Sequence, residues 1–227
     1  MKKYLIILMI SNIVIPIFSQ NGILNVGFDI DDTILFSRDV FINIPENKRN
    51  PIDYGWVNTK DRELSIVIEP TKELIDYFTS NGHNVFFITS RQHHNGKDLA
   101  KFLSKELGFQ VRINKNLFFS PKEQIGKHRF TTKHRVMEKL ELDLYYGDSD
   151  SDMIAALKAN VQPVRIIRHP LSVEQYGNNY FGDTSKGNSQ KYPFTKENLR
   201  TFYSAYVGMF GESIYPLKWE GPSADRN

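Results

Sequence analysis

Four runs of apolar residues are continuous enough to read as strands buried on both faces: ILNVGFDI (23–30), NVFFITS (84–90), LDLYYGDSD (142–150) and VQPVRIIR (161–168). Helical periodicity falls between them. PTKELIDYFTSNG (70–82) opens on Pro70, stops at Gly82 and sets Leu74, Ile75 and Phe78 on one face. GKDLAKFLSKELG (96–108) repeats the pattern with Leu99, Phe102, Leu103 and Leu107, and stops at Gly108. TTKHRVMEKL (131–140) and SDSDMIAALKAN (149–160) read the same way. Strands alternating with helices predict an α/β fold, a doubly wound parallel sheet of Rossmann type.

The pattern breaks in two places. Between residues 37 and 67 periodicity gives way to a polar, aromatic stretch with Pro and Gly, directly after the first strand, where an insertion can cap a site. From residue 169 onward the chain is rich in Gly, Asn, Ser and Tyr, with one amphipathic segment at 195–208 and a C-terminal extension over about 182–227. One domain spanning 21–227 accommodates all of this. The first 20 residues carry Lys2 and Lys3, then an apolar run from Tyr4 to Ile10 and a second ending at Phe18. That is the layout of a secretory signal peptide, and it predicts a periplasmic or secreted protein that leaves the membrane after cleavage.

Composition adds exclusions. The chain is 40% hydrophobic and 24% charged, enough apolar material for a full core. Its formal net charge of +3 includes Lys2 and Lys3, and the lysines are spread rather than clustered, so no nucleic-acid polymer is expected as a partner. There is no cysteine, which excludes disulfides and thiolate metal sites.

The chemistry gathers at the strand ends. In a doubly wound sheet, ligands bind beyond the carboxyl ends of the strands. The first strand delivers Asp29, Asp31 and Thr33 there; the second delivers Thr89 and Arg91; the third delivers Asp148, Asp150 and Asp152. Carboxylates this close repel one another unless a cation compensates. Carboxylate oxygens suit Mg²⁺, which retains waters and binds substrate phosphate. A carboxylate can itself attack phosphorus, with a second one protonating the leaving oxygen. Asp29 and Asp31 fit those two parts. Lys133, at a helix start, is the best-placed compensating cation. Asp32 and Asp150 read as supporting residues, the second solvent-facing or capping. His93 and His94 read as loop residues, and Trp56 as core or interface.

FDIDDT, FFITSR, a lysine and GDSDSD, in that order, resemble the ordered motifs of the haloacid dehalogenase superfamily of phosphotransferases. VGFDIDDTILFS and YYGDSDSDM look like those of the bacterial class B acid phosphatases, with the resemblance running over about residues 24–176. It implies an exported, Mg²⁺-dependent phosphatase acting on small-molecule phosphomonoesters such as nucleotides and aryl phosphates. Hydrolysis would pass through an aspartyl-phosphate, with transfer to alcohols as a second activity and a homo-oligomeric state left open. Position by position, it implies Asp29 as nucleophile and Asp31 as acid–base. Asp29, the main-chain carbonyl of Asp31, and Asp148 would hold Mg²⁺, supported by Asp152. Thr89, Arg91 and Lys133 would bind phosphate, although Ser90 stands where the family commonly has glycine. Phe41, Tyr54 and Tyr176 would stack on the substrate's flat group. A narrow 5′-nucleotidase and a non-catalytic phosphate-ligand binding protein are the alternatives. The second is disfavoured because Asp31 is retained.

Overall fold

The computed structural model describes residues 22–126, 128–166, 168–169 and 171–173. Its centre is a five-stranded parallel sheet of β1 (Asn25–Phe28), β4 (Asn84–Thr89), β5 (Leu117–Phe119), β8 (Leu144–Gly147) and β9 (Gln162–Arg165). Their order is β5-β4-β1-β8-β9. β1 lies in the middle, paired with β4 on one side and β8 on the other. The chain therefore reverses its direction of sheet growth at β1, which leaves a crevice beyond that strand's carboxyl end.

Side chains alternate across the sheet, as the two-residue period of a strand requires. Val26 and Phe28 of β1, with Val85 and Phe87 of β4, pack on one face against Ile75 and Phe78 of α3 (Glu69–Ser80) and Leu99, Leu103 and Leu107 of α4 (Gly96–Leu107). On the other face Ile88 and Tyr145 meet Met137 of α5 (Lys133–Lys139) and Ala155 and Ala156 of α6 (Asp150–Lys158). Helices cover both faces, so the sheet is doubly wound. Phe28 stacks on Tyr146 at 4.8 Å between ring centroids, tying β1 to β8.

Three features depart from the sequence expectation. β5 joins the four expected strands; its LFF is too short, between Asn116 and Ser120, to stand out as an apolar run. A hairpin of β6 (Glu123–Ile125) and β7 (His128–Phe130) precedes α5. The stretch without apolar periodicity is folded. It leaves the core through β2 (Leu35–Phe36) and returns through β3 (Ile66–Val67), which pair antiparallel. Between them lie α1 (Arg38–Ile42) and α2 (Tyr54–Leu64), packed around Val40, Ile44 and Val57. This cap has its own small core, to which Phe41, Tyr54 and Trp56 contribute. The expected signal peptide, the segment 195–208, the extension 182–227 and Tyr176 lie outside the described residues.

Candidate active site

Asp29 is the first residue beyond β1, and its main-chain N–H donates to Tyr146 O at 2.8 Å, the last rung toward β8. Thr89 ends β4, and Asp148 follows Gly147 at the end of β8. The parallel register brings these three strand ends to one level, and all three side chains are buried.

One group forms around Lys133, the first residue of α5. Its Nζ lies 2.6 Å from Asp29 Oδ1 and 2.6 Å from Asp152 Oδ1. The other oxygen of Asp152 accepts from the Ser149 hydroxyl at 2.6 Å and from Ser149 N at 3.2 Å, which closes the capping box of α6. Ser149 is thus the N-cap, and Asp150 is the first helical residue rather than the cap. Gly147 makes room for this arrangement: a Cβ there would come within 2.5 Å of Asp152 Cβ. Asp148 accepts from Thr33 Oγ1 at 3.3 Å and from Arg168 Nε, while Arg165 Nη1 donates to its main-chain carbonyl at 2.9 Å.

Asp29, Asp148 and Asp152 each place a carboxylate oxygen within 4.8 Å of the others. Burial, the largest influence, with the charges of Asp152, Asp148 and Asp31, drives the Asp29 carboxyl well above the usual carboxylate range despite Lys133. Burial also raises Asp148. Asp152 moves down, because Lys133 and Ser149 outweigh its burial. Three buried carboxylates thus stand together, two of them raised chiefly by burial. An all-oxygen donor set of this kind fits a hard divalent cation.

A second group forms around Arg91. Thr89 Oγ1 accepts the Arg91 main-chain N–H at 3.1 Å. The guanidinium, 1% exposed, grips Asp31 with two parallel bonds: Nε to Oδ2 at 2.9 Å and Nη2 to Oδ1 at 2.6 Å. Its far side meets α2, where Asp61 accepts from Nη1 and from Nη2 (3.2 Å), and Asn58 Oδ1 accepts from Nη1 at 3.0 Å. The Phe41 ring lies against it, 5.8 Å from Cζ to centroid. Burial pushes the Asp31 carboxyl up, but the charge and hydrogen bonds of Arg91 more than offset that, and its pKa is lowered.

Asp32 takes a left-handed turn conformation (φ 55°), and its carboxylate accepts from Ser172 Oγ at 2.9 Å. Burial and the nearby Asp148 push it up to about 8. Its main-chain N–H donates to Leu35 O at 2.7 Å, in the turn that follows Asp31.

The structure gathers Asp29, Asp148, Asp152 and Lys133 into one group, and Asp31 and Arg91 into another, with Thr89 beneath the second. The side chain of Asp31 faces Arg91 and is not among the three clustered carboxylates. Phe41 is at the site, while Tyr54 and Trp56 are partly buried in the cap's own core. His93 and His94 lie on the loop between β4 and α4, their rings 5.0 Å apart. Sequence reasoning passed over Asp61, Asn58 and Arg168. Arg168 had a signal, since it closes an apolar run that ends at the same rim. Asp61 and Asn58 had none in the apolar pattern, because they are the polar residues that α2 turns inward.

Past the central strand of a parallel sheet stand an aspartate and a second two residues on, with a lysine and a further acidic pair gathered beside the first. Residues 7–176 match the family model described as HAD superfamily, subfamily IIIB (Acid phosphatase), and the chain belongs to that family. It is 32% identical over 152 residues to the class B acid phosphatase of Xenorhabdus bovienii, a match spanning 63% of this chain and 62% of that protein. It is 30% identical over 151 residues to that of Salmonella typhi, again over 63% and 62%. The match thus spans less than two thirds of these relatives' length. A solved HAD-superfamily hydrolase, subfamily IA, from Geobacter sulfurreducens overlaps at a TM-score of 0.41 and 18% identity, over 64% of this chain and 90% of that one.

Proposed function

We propose that this chain is an acid phosphatase that hydrolyses small-molecule phosphomonoesters with a divalent cation, Mg²⁺ by its donor set, bound at Asp29, Asp148 and the carbonyl of Asp31. The observation that carries the reading is the buried Asp29 carboxylate. One of its oxygens is tied to Lys133 at 2.6 Å, and it is one of three clustered buried carboxylates within the stretch that matches the family.

An Asp29 oxygen attacks phosphorus as the bond to the leaving oxygen breaks, and Asp31 gives that oxygen its proton. Asp31 then takes a proton from water, whose oxygen attacks the aspartyl-phosphate, freeing phosphate and the Asp29 carboxylate. An alcohol in place of water gives phosphotransfer. Lys133 and Thr89 hold the phosphoryl oxygens, and Lys133 keeps Asp29 in line through the bond already present. The bound cation supplies charge neutralisation for the phosphoryl group in transfer. Phe41, at the site against Arg91, offers an aromatic face to a nucleobase or aryl leaving group, which supports a broad substrate range. The basic and apolar pattern of residues 1–20 supports export. Among the described residues no helix is long and apolar enough to cross a membrane.

The test is hydrolysis of p-nitrophenyl phosphate and of nucleoside monophosphates by the full chain, with Mg²⁺ and with EDTA, beside Asp29→Asn. Turnover is expected with Mg²⁺ only, and at least 10³-fold lower in the variant, in line with the loss of a covalent nucleophile. Folded, Mg²⁺-supplied protein inert toward both substrate classes refutes the reading.

A further inference from the structure

The cap and the core meet at Arg91, whose hydrogen bonding is complete. An arginine side chain has five N–H donors. Here Nε reaches Asp31, the two Nη2 hydrogens reach Asp31 and Asp61, and the two Nη1 hydrogens reach Asp61 and Asn58. Every donor has a protein acceptor. The group is 1% exposed, with an aromatic ring against it. A phosphate oxygen could bond Arg91 only by breaking one of these contacts and leaving a buried carboxylate or amide short of its partner. Asp61 is itself fully buried, and an uncompensated carboxylate there is costly.

The anchoring side is rigid as well as charged. Asn58 uses its amide hydrogens on the main-chain carbonyls of Gln92 (3.1 Å) and His94 (2.7 Å), just beyond Arg91. Thr59 Oγ1 donates to Asp98 at 3.1 Å, and Asn95 Nδ2 donates to Gly55 O at 3.2 Å. Helix α2 is thereby fastened to the loop that carries Arg91. The fork of Arg91 holds both oxygens of Asp31, and the Ser37 hydroxyl adds a further hydrogen bond to the same carboxylate.

We propose that Arg91 is not a phosphate ligand in this protein but the centre of a clamp, in which Asp61 and Asn58 of the cap are positioning residues that hold Asp31 in place through Arg91. The role given to Asp31 rests on the phosphatase reading above; the clamp does not. It follows that the cap takes part in proton transfer and does more than select substrates. Lys133 and Thr89, with the cation, then carry phosphate recognition.

The experiment has two arms on the full chain. In the first, the Arg91 side-chain Nε–H resonance is assigned by its absence in Arg91→Lys and followed by ¹⁵N NMR, with inorganic phosphate titrated in the presence of Mg²⁺. A clamp gives a signal protected from solvent exchange, unmoved by saturating phosphate, and exposed to exchange in Asp61→Asn. A signal that shifts with phosphate, or is unprotected from the start, overturns the proposal. In the second arm, Asp61→Asn and Asn58→Ala are assayed for kcat, KM and inhibition by inorganic phosphate. A positioning role lowers kcat about 10- to 100-fold in Asp61→Asn, with KM and phosphate inhibition within about threefold. Asn58→Ala moves the same way by less. A loss of phosphate affinity matching the loss of rate makes Arg91 a ligand and overturns the clamp. Unchanged kcat and KM with only a lower melting temperature makes Asp61 structural and also overturns it. If the wild type turns over no phosphomonoester, the phosphatase reading fails alone and the NMR arm decides the clamp.

Discussion

Asp29 and Asp31 are two residues apart and live in opposite surroundings. Asp29 belongs to the rim of the sheet, where Asp148 and Asp152 crowd it and a lysine is shared between two carboxylates. Its carboxyl is driven up. Asp31 points toward the cap, where one arginine meets it with two bonds, and its carboxyl is held down. The first neighbourhood is arranged to receive a cation from outside. The second is arranged to need none. Two carboxylates of one motif thus sit in two environments. Proximity in sequence therefore says little about the state of a carboxyl; the charges that reach it do.

The sharpest way to break this contrast is to remove each central cation in turn. Arg91→Met and Lys133→Met should each destabilise by about 3–5 kcal/mol, since both leave buried carboxylates unpaired. Their responses to Mg²⁺ should differ. A cation at 100 times its Kd adds about 2.7 kcal/mol to a fold that binds it. For Lys133→Met the gain in melting temperature from Mg²⁺ should exceed that of the wild type, because the cation replaces lost positive charge. For Arg91→Met it should not. Thermal unfolding of both variants with and without Mg²⁺ measures this, and equal responses would mean that the two neighbourhoods are not distinct.

A smaller effect sharpens the cap side. Asp53 caps α2, its Oδ1 accepting Trp56 N–H at 3.1 Å. Asp53→Ala should cost about 1 kcal/mol in urea unfolding. If the clamp at Arg91 is what docks the helix, activity should survive this change, because the cap position is one turn away from Asn58.

The smallest effect concerns the residue after Lys133 on α5. His134 is buried, its Nδ1 has no hydrogen-bond partner among the described residues, and burial, then Lys158, lowers its pKa from the usual 6.5. The unfolded chain takes up that proton near 6.5 and the folded one does not. His134 thus stabilises the fold fully above about 6.5 and loses that contribution as pH falls below it. Urea unfolding at pH 7.5 and 5.5 should show a smaller drop for His134→Gln than for the wild type; equal drops would remove His134 from the account.

The sheet was legible in the sequence where burial on both faces forces continuous apolar runs, as in NVFFIT of β4. β5 escaped because three residues at a sheet edge need little apolar sequence. The rim aspartates and Lys133 were legible because strand ends converge by topology alone. α2 was illegible for a physical reason. Apolar periodicity detects helices that bury oil, whereas this one buries Asn58 and Asp61 against an arginine from a distant loop. Its only local sign was the capping aspartate. The same holds for Arg91, whose partners lie 30 and 60 positions earlier in the chain.

The paired strands β2 and β3 bring the entrance and exit of the cap side by side. A segment joined at two adjacent points can be lengthened, shortened or exchanged without disturbing the sheet that carries Asp29. The segment is thus free to drift in descendants of this chain while Asp29 and its neighbours stay fixed. The freedom has one limit: any replacement must bring its own acceptors for Arg91, or the arginine must change with it. In a set of natural variants, the residues at 58, 61 and 91 should therefore be inherited together.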